Sequence, residues 1–130
     1  MKFTSTDKAP AALGPYSQAV SVNGLLFTSG QIALDPATGE IVGSDVQAQA
    51  EQVCKNLAAV LEANGLTFTD AVKTTCFLAD MGDFAEMADF GAFNAVYEKY
   101  FTGKPARSCV AVKTLPKNVL CEVEVIAEMK

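Results

Sequence analysis

The 130-residue chain contains no histidine. This absence excludes Ser-His-Asp and Cys-His nucleophile systems, and it excludes zinc sites that use histidine. It also removes the side chain that most often serves as a base near neutral pH. Any catalysis must therefore use carboxylates, Tyr, Ser, Cys, Lys, Arg, backbone amides and water.

Long apolar runs and basic clusters are missing as well. No segment approaches the ~20 apolar residues of a membrane span, and the N-terminal "MKFTSTDKAPAALGPY" lacks the apolar core of a signal peptide. Fifteen acidic residues outnumber ten basic ones, the net charge is −5, and the lysines are scattered. We expect a cytoplasmic protein without membrane or nucleic-acid partners, because phosphate contacts require clustered Lys and Arg. A small basic cleft formed by oligomerisation is the weaker alternative.

The four cysteines, Cys54, Cys76, Cys109 and Cys121, form no C-x-x-C pair, and each lies in a periodic segment. Zinc and redox motifs require closer spacing, so we expect no metal site and buried, reduced thiols at most of these positions. Half of the chain is apolar and no linker divides it. Residues 1–130 are therefore expected to form one domain with its own core.

Turn and cap signals predict the elements. Asn23-Gly24 joins the β-rich runs Ala19–Val22 and Leu25–Ser29 in a hairpin. A helix follows, which starts with a capping box of Ser44 and Gln47 and ends at Gly65. Its apolar stripe contains Val46, Ala50, Val53, Leu57, Val60 and Leu61.

The second half of the chain is predicted to add a strand in "DAVKTTCFLAD" and a helix from Asp83, with Glu86 three residues on, to about Phe101. Two final strands, Arg107–Val112 and Val119–Ala127, form a hairpin around "KTLPKN", and "KFTS" adds an edge strand. This order predicts an α+β fold with both helices on one sheet face. The strand segments Cys76–Leu78 and Ser108–Val112 are apolar on both faces, so the face that the helices leave uncovered needs a partner, and we expect a homo-oligomer.

Only one arginine occurs in the chain. Arg107 lies in "GKPARSCVAV", just after a proline, whereas nine lysines supply every other basic side chain. On a strand, Arg107 and Cys109 point to the same side. If the last two strands pair through the turn at Leu115–Asn118, the arginine lies near Glu122 or Glu124.

Two interpretations of this arginine stay open from the residues alone. It forms a cross-strand ion pair with one of these glutamates, worth roughly 0.2–1 kcal/mol. Alternatively, its planar guanidinium binds a carboxylate or phosphate through two hydrogen bonds, which lysine cannot do. Spacing slightly favours the ion pair, whereas the choice of arginine in a lysine-using chain favours the ligand.

Five stretches together resemble the RidA/YjgF family, also known as endoribonuclease L-PSP or translation inhibitor. They are "GPYSQAV", "FTSGQIALDPATGE", "DAVKTTCFLADM", "FNAVYEKYF" and "PARSCVAVKTLPKNVLCEVEVIA". They occur in the family's order and cover the chain from about Pro10 to Ala127. The patterns "SGQI…P-x-TGE" and "PARS-x-V…LP" are the most specific.

The resemblance implies a chorismate-mutase-like α+β fold in a homotrimer, with the sheets forming an inner barrel and ligand sites in the clefts between subunits. It also implies hydrolysis of 2-imino acids, such as 2-iminobutanoate and 2-iminopropanoate, to 2-oxo acids and ammonia. No metal or organic cofactor is required. The implied functional link is to pyridoxal-phosphate dehydratases, which release the precursors of these imines.

The family's site residues are carried over by motif. Arg107 of "PARS" would grip the substrate carboxylate, the backbone of Cys109 would contribute to the site, and Glu122 would position the hydrolytic water. The thiol of Cys109 is not a required nucleophile in the family.

Four further positions would complete the site. Tyr16 and Ser29 would line the same cleft, and Gly30 would let backbone approach the ligand. Asn94 matches the asparagine of "N-x-x-Y", but the repeat "MGDFAE", "MADFGA" just before it departs from the family pattern and weakens this transfer. The structural alternatives are an interface tyrosine for Tyr16, a strand-end hydroxyl for Ser29 and a helix-packing amide for Asn94.

Other functions stay open beside deamination. The cleft could bind or sense 2-oxo acids or small carboxylates without turnover, because Arg107 would serve both functions. An endoribonuclease would need basic grooves and acid–base pairs, which this acidic chain does not plainly offer. A holdase activated by lysine modification is a third hypothesis that the residues cannot test.

Overall fold

The computed structural model describes residues 1–82 and 88–130. Within them, six strands form one mixed sheet in the order β1-β2-β3-β6-β4-β5, and two helices pack against it. This confirms the predicted α+β class. The elements are β1 (Lys2–Thr4), β2 (Ala19–Val22), β3 (Leu25–Thr28), α1 (Val46–Glu62), β4 (Ala71–Leu78), α2 (Ala88–Tyr100), β5 (Ala106–Ala111) and β6 (Cys121–Glu128), with single turns of 3₁₀ helix at Phe68–Asp70 and Pro116–Asn118.

The first hairpin forms where the Asn-Gly pair predicts it. Asn23 and Gly24 have φ angles of 51° and 79°, and a type I′ turn needs positive φ at both central positions. Strand β2 pairs antiparallel with β3, and the predicted edge strand β1 pairs with β2.

Helix α1 begins one residue later than the predicted capping box requires. Its N-cap is Asp45, whose carboxylate accepts a hydrogen bond from the backbone N–H of Ala48 at 2.8 Å. The prediction that Ser44 caps the helix with Gln47 is wrong, because the adjacent aspartate is an equally good cap and its carboxylate reaches the helix amide. Gly65 follows the helix with φ 72°, as predicted.

Both helices lie on one face of the sheet, and the alternation along β6 shows this. Cys121, Val123, Val125 and Ala127 are at most 1 % exposed, whereas the residues between them are only half-buried. The predicted stripe of α1 is buried in the same core.

Helix α2 ends at Tyr100, within a residue of the predicted end. The predicted start at Asp83, with Glu86, lies outside the described residues. Neither of the two described helices is long and apolar enough to cross a membrane.

The last two strands do not form the predicted hairpin. Strand β4 lies between them, pairing parallel with β5 and antiparallel with β6. The physical reason is helix α2, which carries the chain back across the sheet and makes β4-α2-β5 a crossover unit with parallel strands. The connection 112–120 then carries the chain past β4, and Lys117 and Asn118 adopt positive φ within it.

The second sheet face has no covering element among the described residues. Four apolar side chains lie side by side across it through the strand register: Phe3 faces Val20, Val20 faces Phe27, and Phe27 faces Ile126. Phe3 is 62 % and Phe27 41 % exposed. This is the face on which the prediction of a homo-oligomer depends.

The N-cap position of Asp45 predicts an effect of this side chain on stability. Asp45→Ala should lower the free energy of unfolding by about 1 kcal/mol, because the amide of Ala48 loses its acceptor. Ser44→Ala is the matched control, since the side chains of Ser44 and Asp45 are both exposed. It should change the free energy of unfolding by less than ~0.5 kcal/mol. Urea unfolding of both variants measures this, and a larger loss in the serine variant would contradict the assignment.

Candidate functional site

Four of the seven predicted site residues line one cleft. Tyr16, Ser29, Gly30 and Glu122 surround a cavity of about 680 Å³ between the N-terminal segment and the ends of β3 and β6. Much of the remaining wall is apolar. It includes Pro10, Ala11, Leu13, Ile32, Leu34, Pro36 and Pro116, together with Lys117.

A bulge after β3 creates the contact between Gly30 and Glu122. The ladder with β6 runs to Phe27, opposite Ile126, and resumes at Gln31, opposite Val123, so three residues on one strand oppose two on the other. A Cβ on Gly30 would lie 2.2 Å from Oε2 of Glu122. Only glycine therefore leaves room for the carboxylate in this position.

The environment of Glu122 changes its proton affinity. Burial raises the pKa of its carboxyl above the usual value, and the charge of Glu124 raises it further. The group consequently holds a proton more strongly than an exposed glutamate does.

Gln18 fixes the N-terminal wall of this cleft. Its buried amide accepts a hydrogen bond from the N–H of Thr6 at 2.7 Å and donates to the carbonyls of Thr6 and Pro10, each at 2.9 Å. Ser29 donates to the carbonyl of Ser17 at 2.6 Å. Tyr16, which lies between these anchors, is 55 % exposed.

Two amides of α1 fix other parts of the same region. Asn56, 1 % exposed, donates to the carbonyls of Ile32 and Leu34 at 3.1 and 3.0 Å. Gln49, 5 % exposed, accepts from the N–H of Leu120 at 2.8 Å. Gln18, Gln49 and Asn56 were not among the residues predicted from the sequence. The sequence does carry a signal for Gln49 and Asn56: these two amides lie within the apolar stripe of α1, seven residues apart.

Arg107 and Asn94 line a different cleft, of about 350 Å³, next to helix α2. Nη1 of Arg107 donates to Oδ1 of Asn94 at 2.6 Å. The guanidinium carbon lies 4.7 Å from the ring centre of Tyr97 and 5.6 Å from that of Phe90. Three side chains on one side of α2 therefore hold this arginine by a hydrogen bond and by cation–π contacts.

The tyrosine below the guanidinium is itself fixed. The hydroxyl of Tyr97 shares a 2.8 Å hydrogen bond with the buried hydroxyl of Thr74 on β4. Burial raises the pKa of the Tyr97 hydroxyl. Cys109 lies on β5, two residues beyond Arg107, and is half-buried.

Arg107 and Glu122 lie on opposite faces of the sheet. Arg107 pairs with Thr74, which contacts α2, whereas Glu122 pairs with Phe77, whose side chain alternates to the other face. The cross-strand ion pair with Glu122 or Glu124 is therefore wrong. The described residues instead form ion pairs between Lys99 and Glu51 and between Lys130 and Asp70.

The comparison with known proteins identifies the family. The model of the family "Endoribonuclease L-PSP" matches residues 6–129, nearly the whole chain. The chain belongs to the RidA/YjgF, or endoribonuclease L-PSP, family. The resemblance that the five sequence stretches predicted is thus confirmed.

This chain is similar to variously named members of the RidA/YjgF family over almost all of their length. A RutC family protein of Synechocystis is 52 % identical over 98 % of this chain and 95 % of its own. The mouse 2-iminobutanoate/2-iminopropanoate deaminase is 47 % identical over 97 % of this chain and 90 % of its own. The crystal structure of Escherichia coli TdcF with bound serine matches all of both chains at 42 % identity and a TM-score of 0.90.

The contact between Gly30 and Glu122 generates a prediction. In Gly30→Ala the new methyl group would lie 2.2 Å from Oε2, so the carboxylate must move out of its position. We expect the pKa of Glu122 to fall towards its ordinary value, because the displaced group is better hydrated. A carboxyl-carbon NMR titration measures this pKa.

Gly91→Ala is the matched control, because a Cβ there has nothing within 4 Å. It lies in α2 and should keep the pKa of Glu122 while stabilising the helix by up to about 1 kcal/mol. An unchanged pKa in the Gly30 variant would contradict the steric argument.

Proposed function

We propose that the protein is an imine deaminase, which hydrolyses 2-imino acids such as 2-iminobutanoate and 2-iminopropanoate. The observation that carries the proposal is the division of the predicted site residues into two complementary groups. One cleft contains Glu122 beside Gly30, and the other contains Arg107 fixed by Asn94. The name of the mouse relative supports the substrate class.

The reaction needs both groups at one place. A 2-imino acid is an anion, and its carboxylate requires a cation with a matching shape, which the guanidinium of Arg107 provides. Its imine carbon requires a water held and deprotonated beside it, which Glu122 would provide. Since these side chains occupy opposite sheet faces of one chain, we infer that Arg107 of one subunit meets Glu122 of another.

A homotrimer would bring them together. The uncovered face with Phe3, Val20, Phe27 and Ile126 would be buried between subunits, and the two clefts would form the walls of each interface site. Burial of this apolar surface supplies the driving force for assembly. Tyr16, Ser29 and the backbone near Gly30 and Cys109 would complete the lining.

The proposed steps balance without a cofactor. The water oxygen adds to the imine carbon while the C=N π electrons move to nitrogen, which takes up a proton, and Glu122 accepts a proton from the water. In the resulting carbinolamine the amino nitrogen takes up the proton held by Glu122, the C–N bond breaks and ammonia leaves with the bonding electrons, while the hydroxyl loses its proton to solvent and so replaces the proton that the imine nitrogen took up. The sum is a 2-imino acid and water giving a 2-oxo acid and ammonia.

The raised pKa of Glu122 suits this role. A base works best when its pKa is close to the working pH, and burial moves this carboxyl in that direction. Activity that needs the ionised carboxylate should be lost as the pH falls through this raised pKa, at a higher pH than an ordinary glutamate would give.

A small-carboxylate binding protein is the second candidate. The relative TdcF was crystallised with serine, which carries a carboxylate that an arginine could hold. An endoribonuclease is less well supported, despite the family's name, since the chain has a net charge of −5 and scattered lysines.

Two conservative substitutions test the proposed function. Arg107→Lys keeps the charge but removes the two-pronged hydrogen bonding, so it should weaken 2-oxobutanoate binding and lower kcat/KM. The expected loss is on the order of 2–5 kcal/mol, or tens- to thousands-fold. Glu122→Gln should lower kcat and abolish the acid limb of the pH profile, while 2-oxobutanoate binds nearly as in the wild type.

Calorimetric binding of 2-oxobutanoate and ammonia release from freshly generated 2-iminobutanoate measure both effects. Wild-type turnover by the lysine variant would show that Arg107 is purely structural. Intact binding with no turnover by the wild-type protein would favour the second candidate.

Subunit mixing tests the composite site. Arg107→Ala and Glu122→Gln should each be nearly inactive alone. When the two are unfolded together and reassembled at equal amounts, about one quarter of the sites should combine a native arginine with a native glutamate, if trimers form at random. Recovered ammonia release, together with a trimeric mass by analytical ultracentrifugation, would support the proposal, whereas no recovery would place both residues of each site in one subunit.

A further inference from the structure

Two free thiols lie side by side near Arg107. Cys76 on β4 and Cys109 on β5 are register partners, and both face the helix side of the sheet. Neighbouring strands are ~4.8 Å apart, which lies within the range of about 4.4–6.8 Å that disulfides span between Cα atoms. A bond between them would join two strands that are already paired.

The two thiols differ in exposure and in charge. Cys76 is 0 % exposed, whereas Cys109 is half-buried on β5, which pairs only with β4 among the described strands. The neighbouring Cys76 thiol, together with the charge of Arg107, lowers the pKa of Cys109 to about 7. The proximity of Cys109, together with burial, raises the pKa of Cys76. Cys109 is therefore the thiol of the pair that loses its proton first.

The other two cysteines provide an internal contrast. Cys54 and Cys121 are buried, and burial raises the pKa of each to about 12. Since the thiolate is the nucleophile, buried thiols of this kind react slowly with an oxidant in solution at neutral pH.

We propose that Cys109 is a peroxide-reactive modification site and that Cys76 is the thiol that resolves its oxidised form. The proposal depends on the register of the two cysteines and on the difference in their exposure. It does not depend on the proposed deamination, in which neither thiol takes part.

The two steps balance with a hydroperoxide as the oxidant. The Cys109 thiolate attacks one peroxide oxygen, so that an S–O bond forms, the O–O bond breaks and hydroxide leaves and is protonated to water. Cys109 is oxidised by two electrons to a sulfenic acid. The sulfur of Cys76 then attacks that of Cys109, so that an S–S bond forms and the S–O bond breaks. The departing hydroxide takes the proton of the Cys76 thiol and leaves as water.

Peptide mapping of the wild-type trimer or monomer, as purified, tests the site with hydrogen peroxide as the probe. Cys109 should react at least about tenfold faster than Cys54 or Cys121 at neutral pH. The product should be lighter than the reduced chain by two hydrogen atoms. Tryptic peptides 74–99 and 108–113 should be joined, and dithiothreitol should separate them.

Cys76→Ala removes the resolving thiol, and Cys54→Ala is the matched control for loss of a buried cysteine. The first variant should accumulate oxygen on Cys109 as sulfinic acid, whereas the second should form the disulfide as the wild type does. Equal reactivity of all four thiols would overturn the modification site. Accumulation of sulfinic acid in the wild type as fast as in Cys76→Ala would overturn the role of Cys76. A wild-type map with sulfinic acid on Cys109 and no joined peptides would overturn it as well, and this outcome needs no variant.

Discussion

The position of β4 between β5 and β6 determines where the polar side chains of this chain lie. Paired residues on neighbouring strands point to the same face, and side chains alternate along each strand. Arg107, which pairs with Thr74, is therefore held on the helix side, whereas Glu122, which pairs with Phe77, projects from the opposite face. A hairpin of the last two strands would have removed this constraint, and helix α2 prevents it by making β5 parallel to β4.

Each cleft is held in shape by polar groups that are satisfied inside the protein. Buried amides such as Gln18 and Asn56 hold irregular backbone at the first cleft, where no strand partner could satisfy its carbonyls. Among the described residues, no buried side-chain nitrogen or oxygen lacks a hydrogen-bond partner. A buried polar group left without a partner costs about 1–3 kcal/mol, so these loops are strongly biased towards their observed positions. At the second cleft, Tyr97 bonded to Thr74 supports the guanidinium in the same way.

Much of the fold could be predicted from the sequence because its signals are local. The Asn23-Gly24 turn, the apolar stripe of α1 and the glycine after it each depend on residues close in the chain. The pairing of β5 and the contact between Gly30 and Glu122 depend on residues far apart, which periodicity cannot detect. The family motifs named residues that fall into two clefts, but only the strand order shows that Arg107 and Glu122 are on opposite faces.

Separation of Arg107 from Glu122 has a chemical consequence for the proposed deamination. If the two side chains were neighbours in one chain, the guanidinium would bind the glutamate, and the charge of the arginine would lower the pKa of that carboxyl. The cation would then be occupied, and the carboxylate would be a weaker base. On opposite faces, the carboxyl keeps the raised pKa that burial and Glu124 produce, and the guanidinium keeps its contacts with Asn94 and Tyr97. The carboxylate of the substrate requires the guanidinium, and its imine carbon requires the water held by the glutamate. A bound substrate would therefore link the two side chains when subunits bring them together.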